Sequence, residues 1–125
     1  MNRLPDQPAR ARRILIVEDE FLLAFHLEDL LAALGHHVIG TASRIAEAVA
    51  FAQDRDFDFA ILDINLAGGQ SFPVADILRQ RNIPFVFASG YGSAGLLGEY
   101  RQVSILRKPY ELEDIKRAIA AAVSP

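Results

Sequence analysis

The chain has 125 residues, of which 51% are hydrophobic, with a net charge of −3 and no cysteine. That suffices for one packed domain, leaves no room for a second, and is too apolar for an intrinsically disordered chain. The charge is too mild to make nucleic acid or an anionic membrane an obligate partner, and the missing cysteines exclude disulfides and thiolate metal sites.

Residues 1–12 hold Pro5 and Pro8 among Arg3, Arg10 and Arg12 without periodicity, and read as a flexible, solvated tail before a domain spanning 13–125. No apolar stretch precedes Ile14 as a signal peptide would require, and no apolar run approaches the roughly 20 residues of a membrane span. With no cysteine, this fits a cytoplasmic protein.

Ile14-Leu15-Ile16-Val17 is the first strand, apolar at every position and so buried on both faces. It ends in Glu18-Asp19-Glu20. A helix follows on Leu23, Leu27, Leu30, Leu31 and Leu34 and stops at Gly35, with Asp19 an available N-cap. His36 and His37 are adjacent, so they cannot face the same way on a strand, and they read as surface or loop residues before a short second strand, Val38 to Gly40. Ser43 is placed to cap a second helix carrying Ile45, Ala48, Val49 and Ala52.

Phe59-Ala60-Ile61-Leu62 then delivers a single acid, Asp63, with Gly68-Gly69 shortly after. A third helix starts near Ser71, with Pro73 in its first turn. The fourth strand, Pro84 to Ser89, runs into Gly90-Tyr91-Gly92. The next segment, with Gly95 and Gly98, makes a poor helix. A fifth strand, Val103 to Leu106, delivers Arg107-Lys108-Pro109, and a last helix from Glu111 is expected to bury Leu112, Ile115, Ile119 and Val123. Strand and helix alternate five times without a hairpin signal, which means an α/β fold with a parallel sheet covered on both faces.

In such a sheet the carboxyl ends of all strands share one edge, and chemistry collects there. The strand ends supply Glu18 and Asp19, then Asp63, Ser89 and Lys108. Three crowded carboxylates repel one another unless a cation joins them. Oxygen donors without cysteine or clustered histidine favour a hard ion, Mg²⁺ first. A lysine and a hydroxyl facing that ion suit phosphoryl oxygens, and a carboxylate can attack phosphorus to form an acyl phosphate.

These residues resemble a response-regulator receiver domain over residues 13 to 123, matching at the acidic pair Glu18-Asp19, at Asp63, at Ser89 and at Lys108-Pro109. The resemblance implies a five-stranded parallel sheet of order 2-1-3-4-5 flanked by five helices. It implies Mg²⁺ held by Glu18, Asp19, Asp63 and the backbone carbonyl of Asn65. It implies a phosphoryl group passed to Asp63 from a histidine kinase or phosphotransfer protein, paired by Lys108 and bound by Ser89. A cis bond before Pro109 is expected, and Asn65 and Tyr91 occupy positions bordering the path of the water that removes the phosphoryl group.

Two departures stand out. Ile105 occupies the position of the family's aromatic switch residue, and Gly68-Gly69 replace a usual proline. The run Pro84 to Tyr91 instead resembles the FAT GUY receivers, which frequently stand alone, with Ser89 for their threonine. The glycine-rich stretch 91–99 is therefore the expected mobile element. Output is expected through a downstream protein on the face of the fourth helix, fifth strand and last helix, from a monomer or weak homodimer. The alternatives are a phosphate sink or a pseudo-receiver that binds partners without phosphorylation. A Mg²⁺-dependent phosphohydrolase fits worse, because such enzymes place an acid where this chain has Asn65, which cannot transfer a proton.

Overall fold

The structure, a computed structural model, describes residues 11–90 and 105–123. The element order is β1 (Arg13–Val17), α1 (Phe21–Ala33), β2 (His37–Ala42), α2 (Ile45–Asp54), β3 (Phe59–Asp63), β4 (Asn65–Leu66), β5 (Gly69–Gln70), α3 (Phe72–Gln80), β6 (Phe85–Ser89), β7 (Ile105–Arg107) and α4 (Leu112–Val123). Five strands form one parallel sheet in the order β2-β1-β3-β6-β7. Counting only those five, this is the 2-1-3-4-5 order the resemblance implied. Four helices lie among the described residues; the fifth, expected between β6 and β7, falls at 91–104, outside them.

Strand periodicity divides the core. Ile14, Ile16, Phe59, Ile61, Val86 and Ala88 point to one face, where Leu27 and Leu31 of α1 and Ile115 and Ile119 of α4 cover them. Leu15, Val17, Ala60, Leu62 and Phe87 point to the other, under Ala48 and Ala52 of α2 and Val74 and Leu78 of α3. Burial on both faces explains why these strands read as unbroken apolar runs.

Several local expectations are corrected. Glu20, not Asp19, occupies the N-cap of α1, and its side chain makes no capping bond. Arg44, not Ser43, is the N-cap of α2; the Ser43 amide instead donates to Glu47 Oε1 at 2.9 Å. Leu112 opens α4 but stays 38% exposed, because the apolar stripe that meets the sheet begins at Ile115. His36 lies in the loop before β2, as expected, and His37 is exposed; His36 is half-buried, and its Nδ1 accepts the Arg12 backbone N–H at 3.0 Å.

A hairpin is present where none was expected. β4 and β5 pair antiparallel, Asn65 with Gln70 and Leu66 with Gly69. Gly68 and Gly69 take φ of 96° and 136°, which side chains resist; Gly68 makes the turn with Ala67, and Gly69 opens β5. The Ser71 N–H then donates to the Ile64 carbonyl at 2.9 Å and closes the excursion just beyond Asp63. Ser71 is the N-cap of α3, with Pro73 in its first turn as expected.

Candidate functional site

Each acid arrives by a different route. β1 is pinned between β2 and β3, so Glu18 leaves the sheet where its N–H still donates to the Ala42 carbonyl at 2.9 Å. Asp63 is the last residue of β3, the middle strand, and pairs with Ala88 of β6. Asp19 follows Glu18 and is exposed, whereas Glu18 and Asp63 are buried. One carboxylate oxygen from each of the three lies within 4.8 Å of the others.

Lys108 enters from the end of β7, where its N–H donates to the Ser89 carbonyl at 3.2 Å. Its Nζ stands 2.9 Å from Glu18 Oε1 and 3.2 Å from Asp63 Oδ2. The Lys108–Pro109 bond is cis. Ser89 is buried at the end of β6, in register with Arg107. Asn65 is exposed on β4, two residues past Asp63. Tyr91 and the proposed mobile stretch 91–99 lie outside the described residues.

The charges are uneven. Burial, then the neighbouring Glu18 charge, pushes the Asp63 carboxyl up to about 7 against the pull of Lys108. Burial also opposes ionisation of Glu18, but the Lys108 hydrogen bond and the Glu20 amide outweigh it and hold Glu18 below the ordinary carboxylate range. Lys108 is half-buried, which opposes its charge, yet its bond to Glu18 and its attraction to Asp63 raise it above an ordinary lysine.

Sequence reasoning missed one member. The Tyr110 hydroxyl donates to Glu18 Oε1 at 3.1 Å from a side chain buried in the core face shared by α1 and α4. Burial and the Glu18 charge raise its phenol above the usual value. The available signal was its position two residues after Lys108, at the mouth of the last helix.

The donors fit a hard divalent cation: three carboxylates, one exposed, reaching a common point without sulfur or histidine. A parallel sheet of this order with such a cation and lysine site at its carboxyl edge defines the receiver class of signalling domains.

The chain belongs to the response-regulator receiver-domain family: the family profile "Response regulator receiver domain" matches residues 14–120. The phyllosphere-induced regulator PhyR of Methylorubrum extorquens is 38% identical over 117 residues, covering 90% of this chain and 44% of PhyR. The chain thus spans less than half the length of that curated relative. Among solved structures, SdrG of Sphingomonas melonis Fr1 is 42% identical with a TM-score of 0.80, covering 90% of this chain and 97% of that one. The BeF₃-activated conformation of SdrG, from Pseudomonas melonis Fr1, is 44% identical with a TM-score of 0.75, covering 87% and 93%. Among the described residues, no helix is long and apolar enough to cross a membrane.

Proposed function

We propose that the domain is a phosphorylation-controlled switch that takes a phosphoryl group on Asp63 from a histidine kinase or phosphotransfer protein, in the cytoplasm. The observation that carries this reading is the Lys108 ammonium set between Glu18 and Asp63, 3.2 Å from the oxygen next to the attack site. In the reaction an Asp63 carboxylate oxygen attacks phosphorus. The phosphorus–nitrogen bond of the donor breaks, its electron pair leaves with the imidazole, and that nitrogen takes up a proton.

Glu18, Asp19, Asp63 and the Asn65 carbonyl would hold Mg²⁺, which supplies positive charge against the phosphoryl oxygens. Lys108 pairs with one phosphoryl oxygen, and the Ser89 hydroxyl donates to another. Asn65 and Tyr91 border the approach of hydrolytic water and set the lifetime of the acyl phosphate. The domain catalyses its own phosphorylation and dephosphorylation and acts on no other substrate.

The run Pro84 to Tyr91 supports placement in the FAT GUY subgroup, and the BeF₃-activated form of SdrG supports a phosphoryl-dependent conformational change. Output passes to a protein partner that reads the surface around β7 and α4. Treatment with a small phosphodonor and Mg²⁺, followed by mass spectrometry, should place one phosphoryl group on Asp63. Equal labelling of Asp63→Asn would overturn the reading.

A further inference from the structure

Both oxygens of Glu18 are taken by protein donors. Oε1 accepts from Lys108 Nζ at 2.9 Å and from the Tyr110 hydroxyl at 3.1 Å, while Oε2 accepts the Glu20 N–H at 3.1 Å. Glu18 is only 2% exposed, so solvent compensates its charge weakly.

The two donors on Oε1 differ in what else they can do. Lys108 also reaches Asp63 Oδ2, at 3.2 Å, and so is shared between two acids. Tyr110 contributes its ring to the core face that includes Ile14, Leu106 and Ile115 and is 4% exposed. Its carbonyl accepts from His26 Nε2 of α1 at 3.4 Å. Lys108 is a point charge on a flexible stem, whereas Tyr110 is a fixed donor.

A phosphoryl group on Asp63 adds roughly one to two negative charges beside Lys108. The ammonium then turns from Glu18 toward the new oxygens, and Glu18 Oε1 is left with Tyr110 as its remaining protein donor. We propose that Tyr110 is a positioning residue that keeps Glu18 hydrogen-bonded and in place when Lys108 transfers its contact to the phosphoryl group. It therefore supports the phosphorylated state more than the resting one. This rests on the phosphoacceptor reading of Asp63.

The test compares two probes on wild type and Tyr110→Phe: Mg²⁺ alone, and beryllium fluoride with saturating Mg²⁺ as the phosphoryl stand-in. Binding is followed by calorimetry and amide NMR. Phenylalanine keeps the buried ring, and a thermal melt confirms folding. Tyr110→Phe should weaken beryllium fluoride binding roughly tenfold while weakening Mg²⁺ binding no more than about threefold. In a Glu18→Gln background, with no charge left at that position, the same substitution should lose most of this selective effect.

Equal weakening of both probes would make Tyr110 a static support of the acid pocket and overturn the proposal, as would no change in either. Failure of the wild type to bind beryllium fluoride would instead overturn the phosphoacceptor reading itself.

Discussion

Lys108 Nζ and Asp63 Oδ2 stand 3.2 Å apart, one arriving from the edge strand β7 and the other ending the middle strand β3. The same ammonium also neutralises Glu18, so it competes with any cation for the trio of acids. Lys108→Ala should therefore leave Mg²⁺ binding at least as tight as in wild type, because like charges are left facing one another. Phosphorylation should slow by roughly a hundredfold, since a preorganised donor to the developing charge is gone. Calorimetry and phosphodonor kinetics check the two halves. Loss of Mg²⁺ binding as complete as that of Asp19→Ala would refute the role given to Lys108.

Asn65 sits on β4 beyond the acceptor and is exposed to solvent. Asn65→Ala should change the rate of dephosphorylation by a few-fold or more while leaving the fold intact. The decay of labelled protein reads this directly, and an unchanged rate would remove Asn65 from the path of the hydrolytic water.

His36 carries a pH dependence away from the site. Its Nδ1 must be unprotonated to accept the Arg12 N–H at 3.0 Å, and burial, then the Arg12 charge, lowers its pKa below the usual 6.5. The folded state thus binds fewer protons than the unfolded chain between that lowered value and 6.5. The stability it contributes is full above 6.5 and is lost as pH falls toward the folded value. Melting temperatures from pH 7.5 to 5 should fall more steeply for wild type than for His36→Gln. Parallel slopes would rule this out.

Gly40 on β2 faces the ring of Phe51 on α2. A Cβ there would stand 2.6 Å from Phe51 Cε1 and 2.7 Å from Cζ. Gly40→Ala must displace a ring that packs on the core and lies under the Arg55 guanidinium. The expected cost is about 1–2 kcal/mol in urea unfolding. Phe51→Leu in the same chain should recover part of it.

Arg81 closes the junction between α2 and β3 from the far side. Its Nη1 donates to the carbonyls of Ala52 and Arg55, which end α2, and its guanidinium lies over Phe57 at 5.9 Å. Arg81→Ala leaves those carbonyls unpaired by protein and should destabilise by about 1–3 kcal/mol. Faster amide exchange should centre on the last turn of α2. Uniform loss of protection across the domain would mean that Arg81 acts globally.

The strands and the edge chemistry were legible because burial on both faces leaves continuous apolar runs, and each run ends at the residue that matters. Phe59 to Leu62 announces Asp63 in this way, and Ile14 to Val17 announces Glu18. The β4–β5 hairpin was not legible, since two-residue strands have no period and Gly68-Gly69 read equally well as a loop. The cap of α2 was misplaced by one residue because Ser43 has the better capping chemistry, yet its backbone meets Glu47 instead. The bond from Tyr110 to Glu18 joins two distant parts of the chain through side chains, and no local pattern encodes such a pair.

The pairing of β1 with β2 contains an irregularity: Ile14 faces Val38, but Leu15 faces Gly40, so Ile39 has no opposite number. β2 is an outer strand of the sheet, and a regular outer strand is a template on which another chain can add by backbone pairing. The extra residue breaks the even spacing that such addition needs. Self-association between copies should thus avoid this margin and run through helical surfaces, and the protein should resist fibrillar stacking along β2 when concentrated.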